Sequence, residues 1–200
     1  MPPARHLVPR YAAEPPHHGI PEGQWRERLE REFLAAALAV ADDAGEPGEI
    51  VFYPDRTWHG RTYVPAAART ASGMEVYGYI VFVAALDPLD EPTDFAGHAD
   101  FTEQTAEQNP DWELDLSDEV IGAWHGIGDD VASMTLVWGR SLVAGGAIAT
   151  AELGGVSVDE CPLEDRRFTL LAPDDYAGEL LEVHLYSDDG DRLARESLYE

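Results

Sequence analysis

No lysine occurs in this chain; all 13 basic residues are arginine. A P-loop needs a lysine ammonium to reach the β- and γ-phosphates, so that nucleotide site is excluded. Without a side-chain amine no Schiff base can form, which removes pyridoxal-phosphate enzymes and imine-forming aldolases. The Ser-x-x-Lys acyl-transfer motif is excluded on the same ground. Cysteine is nearly as scarce. Cys161 stands alone, so neither an intramolecular disulfide nor a cysteine-based zinc cluster can form. Its neighbours Asp159, Glu160, Glu164 and Asp165 disfavour a thiolate, the wrong direction for a nucleophile.

Long apolar runs are missing too. The longest, Val76 to Leu86, falls short of the about 20 residues that a membrane-spanning helix takes. Residues 1–22 are interrupted by Pro2, Pro3, Pro9, Pro15, Pro16 and Pro21 and hold no continuous apolar stretch of signal-peptide type. They read as a flexible, Pro-rich tail in which His17 and His18 are incidental. The expectation is a soluble, cytoplasmic protein with no membrane partner.

The third absence is of positive charge in the middle of the chain. Between Arg69 and Arg140 there is no basic residue, while 15 carboxylates fall from Glu75 to Asp130, within a total net charge of -26. Nucleic acid is a poor partner for such a surface, because phosphate neutralisation needs clustered Lys or Arg. A basic protein partner is favoured instead. Asn occurs once, at Asn109. The missing Lys and Asn fit GC-rich coding, which does not account for the acid excess; adaptation to high salt accounts for both.

What is present reads as a folded chain. The hydrophobic content is 44% and the aromatic content 10%, enough for a real core over 200 residues. From Gln24 to about Ala41, Trp25, Leu29, Phe33, Ala37 and Val40 recur at spacings of three and four, predicting an amphipathic helix. Arg26/Glu30, Glu27/Arg31 and Arg28/Glu32 are its i,i+4 pairs. Strand patterns follow at Glu49 to Tyr53 and Arg61 to Val64, separated by a polar stretch from Pro54 to Gly60. Met74 to Ala84 is apolar on both alternating faces, Val76, Ile80 and Phe82 against Tyr77, Tyr79, Val81 and Val83. That predicts a central strand covered on both sides.

Residues 87–118 have no sustained periodicity and read as a long acidic connection, with at most a short helix from Thr102. From Glu119 onward seven short strands are expected, ending in a hairpin at Ser187 to Asp191. The run Phe168-Thr-Leu, then Asp174-Asp-Tyr-Ala-Gly178, Leu-Glu-Val-His-Leu and Asp-Asp-Gly190 resembles the closing strands of bacterial immunoglobulin-like repeats. The resemblance lacks the paired cysteines of antibody domains and implies architecture only. The chain is therefore expected to be mainly β (α+β): an antiparallel β-sandwich, immunoglobulin-like in its C-terminal part, with one N-terminal amphipathic helix packed on a β-rich body. Its divisions are a tail over 1–22, a helix with strands and the acidic connection over 23–118, and a sandwich over 119–200.

Two chemistries compete for the site. The first is a docking surface on Asp111, Trp112, Glu113, Asp115, Asp118 and Glu119, where carboxylates beside an aromatic anchor supply steering and contact together. The plain alternative is a solvated loop. An EF-hand is excluded, because Leu116 stands where the turn Gly belongs and Gly122 where the closing Glu belongs. The second is a metal-assisted hydrolase on Asp94, His98 and Asp100. His98 and Asp100 share a face only if the segment is extended, and Asp94 and His98 only if it is helical. Trp58-His59-Gly60 and Trp124-His125-Gly126 are echoed downstream by Val76-Tyr77-Gly78 and Val137-Trp138-Gly139, a candidate internal repeat. That repeat offers His59 and His125 as an acid/base pair. No Gly-x-Ser-x-Gly elbow is present. Trp58, Trp112 and Trp124 leave sugar stacking as a third choice. The leading expectation is a non-catalytic binding or accessory protein with no cofactor, engaging a basic partner through its anionic surface.

Overall fold

The computed structural model describes residues 11, 13–16, 19–40, 45–85, 91–126 and 131–199; the tail reading, with His17 and His18, lies mostly outside them. Helix α1 spans Gly23–Val40 and buries Leu29, Phe33 and Ala37, the centre of the expected stripe. Trp25 meets Phe82 edge-on at 5.1 Å between ring centroids. The Arg26–Glu30 pair forms at 2.8 Å, whereas Arg28 turns outward to Glu91 at 3.3 Å and lies over the Phe95 ring.

Five strands follow the helix: β1 (Pro47–Phe52), β2 (Arg56–Trp58), β3 (Arg61–Thr70), β4 (Glu75–Val83) and β5 (Thr93–Thr102). Next come β6 (Leu114–His125), β7 (Val131–Ser141), β8 (Gly146–Leu153), β9 (Val156–Pro162), β10 (Arg167–Asp174), β11 (Leu181–Ser187) and β12 (Arg192–Ser197). These last are the seven strands expected beyond Glu119. All pairings are antiparallel and make three sheets: β1-β3-β4-β5 with β2 on β3, then β10-β7-β6, then β12-β11-β8-β9.

The layers follow from the burial of alternate residues. Under α1 lie Ile50, Phe52, Val64, Val76, Ile80 and Phe82. The opposite face of the same sheet, with Tyr63, Tyr79 and Val81, packs on Met134, Leu136 and Trp138 of β7. The far face of β7, with Val137, closes on Ala149, Leu153, Val183 and Leu185 of the third sheet. Helix and three sheets thus stack around three apolar layers, with β4 and β7 as strands whose two faces both need cover.

Arg56 crosses a seam between these layers. It is fully buried and ion-paired with Asp159 at 3.0 Å. It also donates to the carbonyls of Thr169, Glu14 and Glu160 at 2.7, 2.9 and 3.0 Å. Arg167 donates from the second sheet to Phe52 O at 2.8 Å.

Several local readings are corrected. The stretch 87–118 holds all of β5 and the start of β6, and 118/119 falls inside β6. Turns at 106–108 replace the short helix. β5 was hidden because the face it turns to α1 has Phe95 and then only Gly97 and Ala99: a Cβ on Gly97 would stand 2.8 Å from Glu32 O. The polar stretch Pro54 to Gly60 contains β2. Trp58-His59-Gly60 ends the β2–β3 hairpin and Trp124-His125 ends β6, but the echoes fall on β4 in one case and β7 in the other. The two copies do not occupy equivalent places. No helix among the described residues is long and apolar enough to cross a membrane.

Candidate functional site

The second sheet is narrower than the first, so β6 stops short and part of the β4–β5 face projects beyond it. The result is a trough whose floor is a two-stranded ladder: Glu75 pairs with Thr102, Tyr77 with Asp100, Tyr79 with His98. Its wall is β6, which among the described residues pairs only with β7. Two cavities mark its ends. One, of about 180 Å³, is lined by Glu75, Tyr77, Thr102, Gln104, Trp112 and residues 115–118. The other, of about 420 Å³, is lined by Trp58, His59, Arg61, Tyr63, Tyr79, Val81, His98 and Ile121. Glu119 lies between them in sequence along β6, two residues from Ser117 and two from Ile121.

The two ends differ in chemistry. At the acidic end, burial pushes the Glu75 carboxyl up to about 6, and Asp115 and Glu107 push the same way against Arg69 and Arg140. Asp118, although exposed, is raised as well, by partial loss of solvent around its carboxyl and then by Asp174 and Glu119. At the aromatic end His98 stacks on Tyr79 at 4.7 Å, and Tyr63 lies 5.7 Å from Tyr79 on the other side. Burial, and next Glu119, push the Tyr79 hydroxyl up to about 12. Trp58 is seated on the bare backbone of Gly122, where a Cβ would stand 2.3 Å from its ring. That seat coincides with the bulge that interrupts β6 between Val120 and Gly122.

Of the expected docking residues, Trp112, Asp115 and Asp118 line the acidic cavity together, and the others lie around it. Asp111 and Glu113 are exposed on the turn before β6, and Trp112 lines the acidic cavity. Asp115 is held by Arg140 at 3.0 Å. Asp118 and Glu119 are both exposed, but as consecutive strand residues they face opposite sides. Guanidinium groups reach four members of the acidic run: Arg69 meets Glu75 at 3.7 Å and Glu107 at 3.3 Å, Arg140 meets Asp115, and Arg28 meets Glu91. Among the described residues no ion pair reaches Asp94, Asp100, Glu103, Asp111, Glu113, Asp118 or Glu119, and all seven are exposed.

The metal reading gathers two of its three residues. β5 is extended, so His98 and Asp100 share its open face, but a register shift between Ala96 and Thr93 breaks the alternation before Asp94. No group of three or more His, Cys, Asp or Glu among the described residues is placed to hold a metal ion. His59 and His98 line the same cavity; His125 does not line it. Trp124 packs between Tyr11 and Tyr176, leaving no shared platform for the three tryptophans. Cys161 is buried, and burial leads the causes that raise its thiol.

Sequence reasoning missed Tyr77, Tyr79 and Arg61 as trough residues, because a two-faced apolar strand signals cover on both sides and not how far that cover extends. The chain matches no family model, no curated protein and no solved structure.

Proposed function

We propose that the protein is a non-catalytic binding or accessory protein that engages a basic partner protein through the anionic rim of the β6 trough. The observation that carries the reading is that Asp100, Asp111, Glu113, Asp118 and Glu119 lie exposed without an ion-pair partner among the described residues, beside an aromatic floor. Carboxylates in that setting steer a cationic surface, while Tyr77, Trp112 and His98 supply contact area. The C-terminal strands are read as an immunoglobulin-like sandwich on their order, β10-β7-β6 facing β12-β11-β8-β9. The reading is tested with a partner recovered by affinity capture. Neutralising Asp111, Glu113, Asp118 and Glu119 together should lower its association rate about tenfold or more, and added salt should do the same to the wild type. A rate indifferent to both would overturn it.

A further inference from the structure

We propose that β6 binds an extended, arginine- or lysine-bearing segment of that partner as an added β-strand lying in the trough. The proposal rests on the basic-partner reading and specifies how the partner is held. β6 is 12 residues long and among the described residues pairs on one side only, so its other side presents backbone donors and acceptors to whatever enters the trough.

The other edge of the same sheet shows what an edge closed to partners looks like. On β10 the Thr169 carbonyl accepts from Arg56, and the Leu171 N–H donates to Asp159 at 2.8 Å. Among the described residues no such side-chain cap lies on β6 from Leu116 to Ile121.

The floor beneath that open edge has the repeat of a strand. Glu75, Tyr77 and Tyr79 are alternate residues of β4, so the rungs recur about every 7 Å, the spacing of same-face side chains on any strand laid above them. Residues of the added strand that point down meet His98, stacked on the buried Tyr79, then Tyr77 and Asp100, with Glu119 beside them. Residues that point up meet Asp118. Both faces therefore favour cations, and the aromatic rungs add cation–π attraction for a guanidinium. A second copy of this chain is disfavoured, because pairing two β6 edges would set carboxylate against carboxylate.

The test uses the full chain and the acetylated, amidated octapeptide of alternating arginine and threonine. Two further versions carry backbone N-methyl groups at every second residue, one in each register. The expected result is salt-sensitive binding of the parent peptide, at least a tenfold loss with one or both methylated versions, and slowed hydrogen exchange at residues 116–121 when the parent is bound. Equal binding of all three peptides would overturn strand addition while leaving the basic-partner reading intact. Failure of the parent peptide to bind at low salt would also overturn strand addition, and the basic-partner reading would still be judged by its association rates.

Discussion

The two edges of the three-stranded sheet differ in which charges reach them. β10 lies where Arg56 and Asp159 converge from separate elements: Arg56 takes up its Thr169 carbonyl and Asp159 its Leu171 N–H, while its own Arg167 reaches across to Phe52 O. β6 lies within the part of the chain that has no arginine, and its nearest cation, Arg140, is spent on Asp115. A buried charge is tolerable only when paired and hydrogen-bonded, so the β10 seam is closed by necessity. Exposed carboxylates are hydrated and need no partner, so the β6 side can stay open. One sheet thus carries a structural edge and an accessible one.

The contrast breaks most sharply at Arg56. Arg56→Met leaves Asp159 buried without its cation, and urea denaturation should show a loss of about 3–5 kcal/mol. Combining it with Asp159→Leu should recover much of that loss, because the uncompensated charge goes with its partner. A single variant as stable as wild type would mean that the seam is not held by this pair.

On the open side Gly122→Val forces a side chain into the Trp58 ring. The expected cost is up to about 3 kcal/mol in thermal or chemical denaturation, with a shift in tryptophan emission as the aromatic end is rearranged. An unchanged emission spectrum would place Trp58 elsewhere.

The acidic end should show in the pH dependence. Glu75 is raised in the folded state from 4.5 to about 6, so the folded protein binds this proton more tightly than the unfolded chain. Stability should therefore rise as pH falls from above 6 towards 4.5, by on the order of 2 kcal/mol from this group. Glu75→Gln should remove that part of the slope, as read from melting temperatures across the window. The smallest effect belongs to Glu119→Gln: stability within about 0.5 kcal/mol of wild type, since the side chain is exposed, but slower association with a basic partner.

Much of the fold was legible because local periodicity and tertiary role agree. Helix α1 follows its stripe, β4 its two apolar faces, and the final hairpin its turn, where Gly190 adopts a φ of 82° and Ser187 N–H donates to Asp191 O. β5 was not legible, since it meets the helix through one large side chain, Phe95, and then Gly97 and Ala99, and shows no run of large apolar side chains. Arg56 was equally hidden: nothing in Pro54-Asp55-Arg56 distinguishes a buried guanidinium from a solvated one, because its acceptors lie more than a hundred residues away at Glu160 and Thr169. For the site, the sequence located the carboxylates along the chain. The trough depends on the relative widths of two sheets, which no local pattern encodes.

Arg56 has one further consequence, for the way the molecule comes apart. A single guanidinium joins the N-terminal segment at Glu14, the second sheet at Thr169 and the third at Glu160 from its own place in the first. Peeling any one of the three sheets away would strand that cation in a half-open interior. Separation of the sheets is therefore penalised in every direction at once, and the three sheets should melt as one cooperative unit despite their separate apolar interiors.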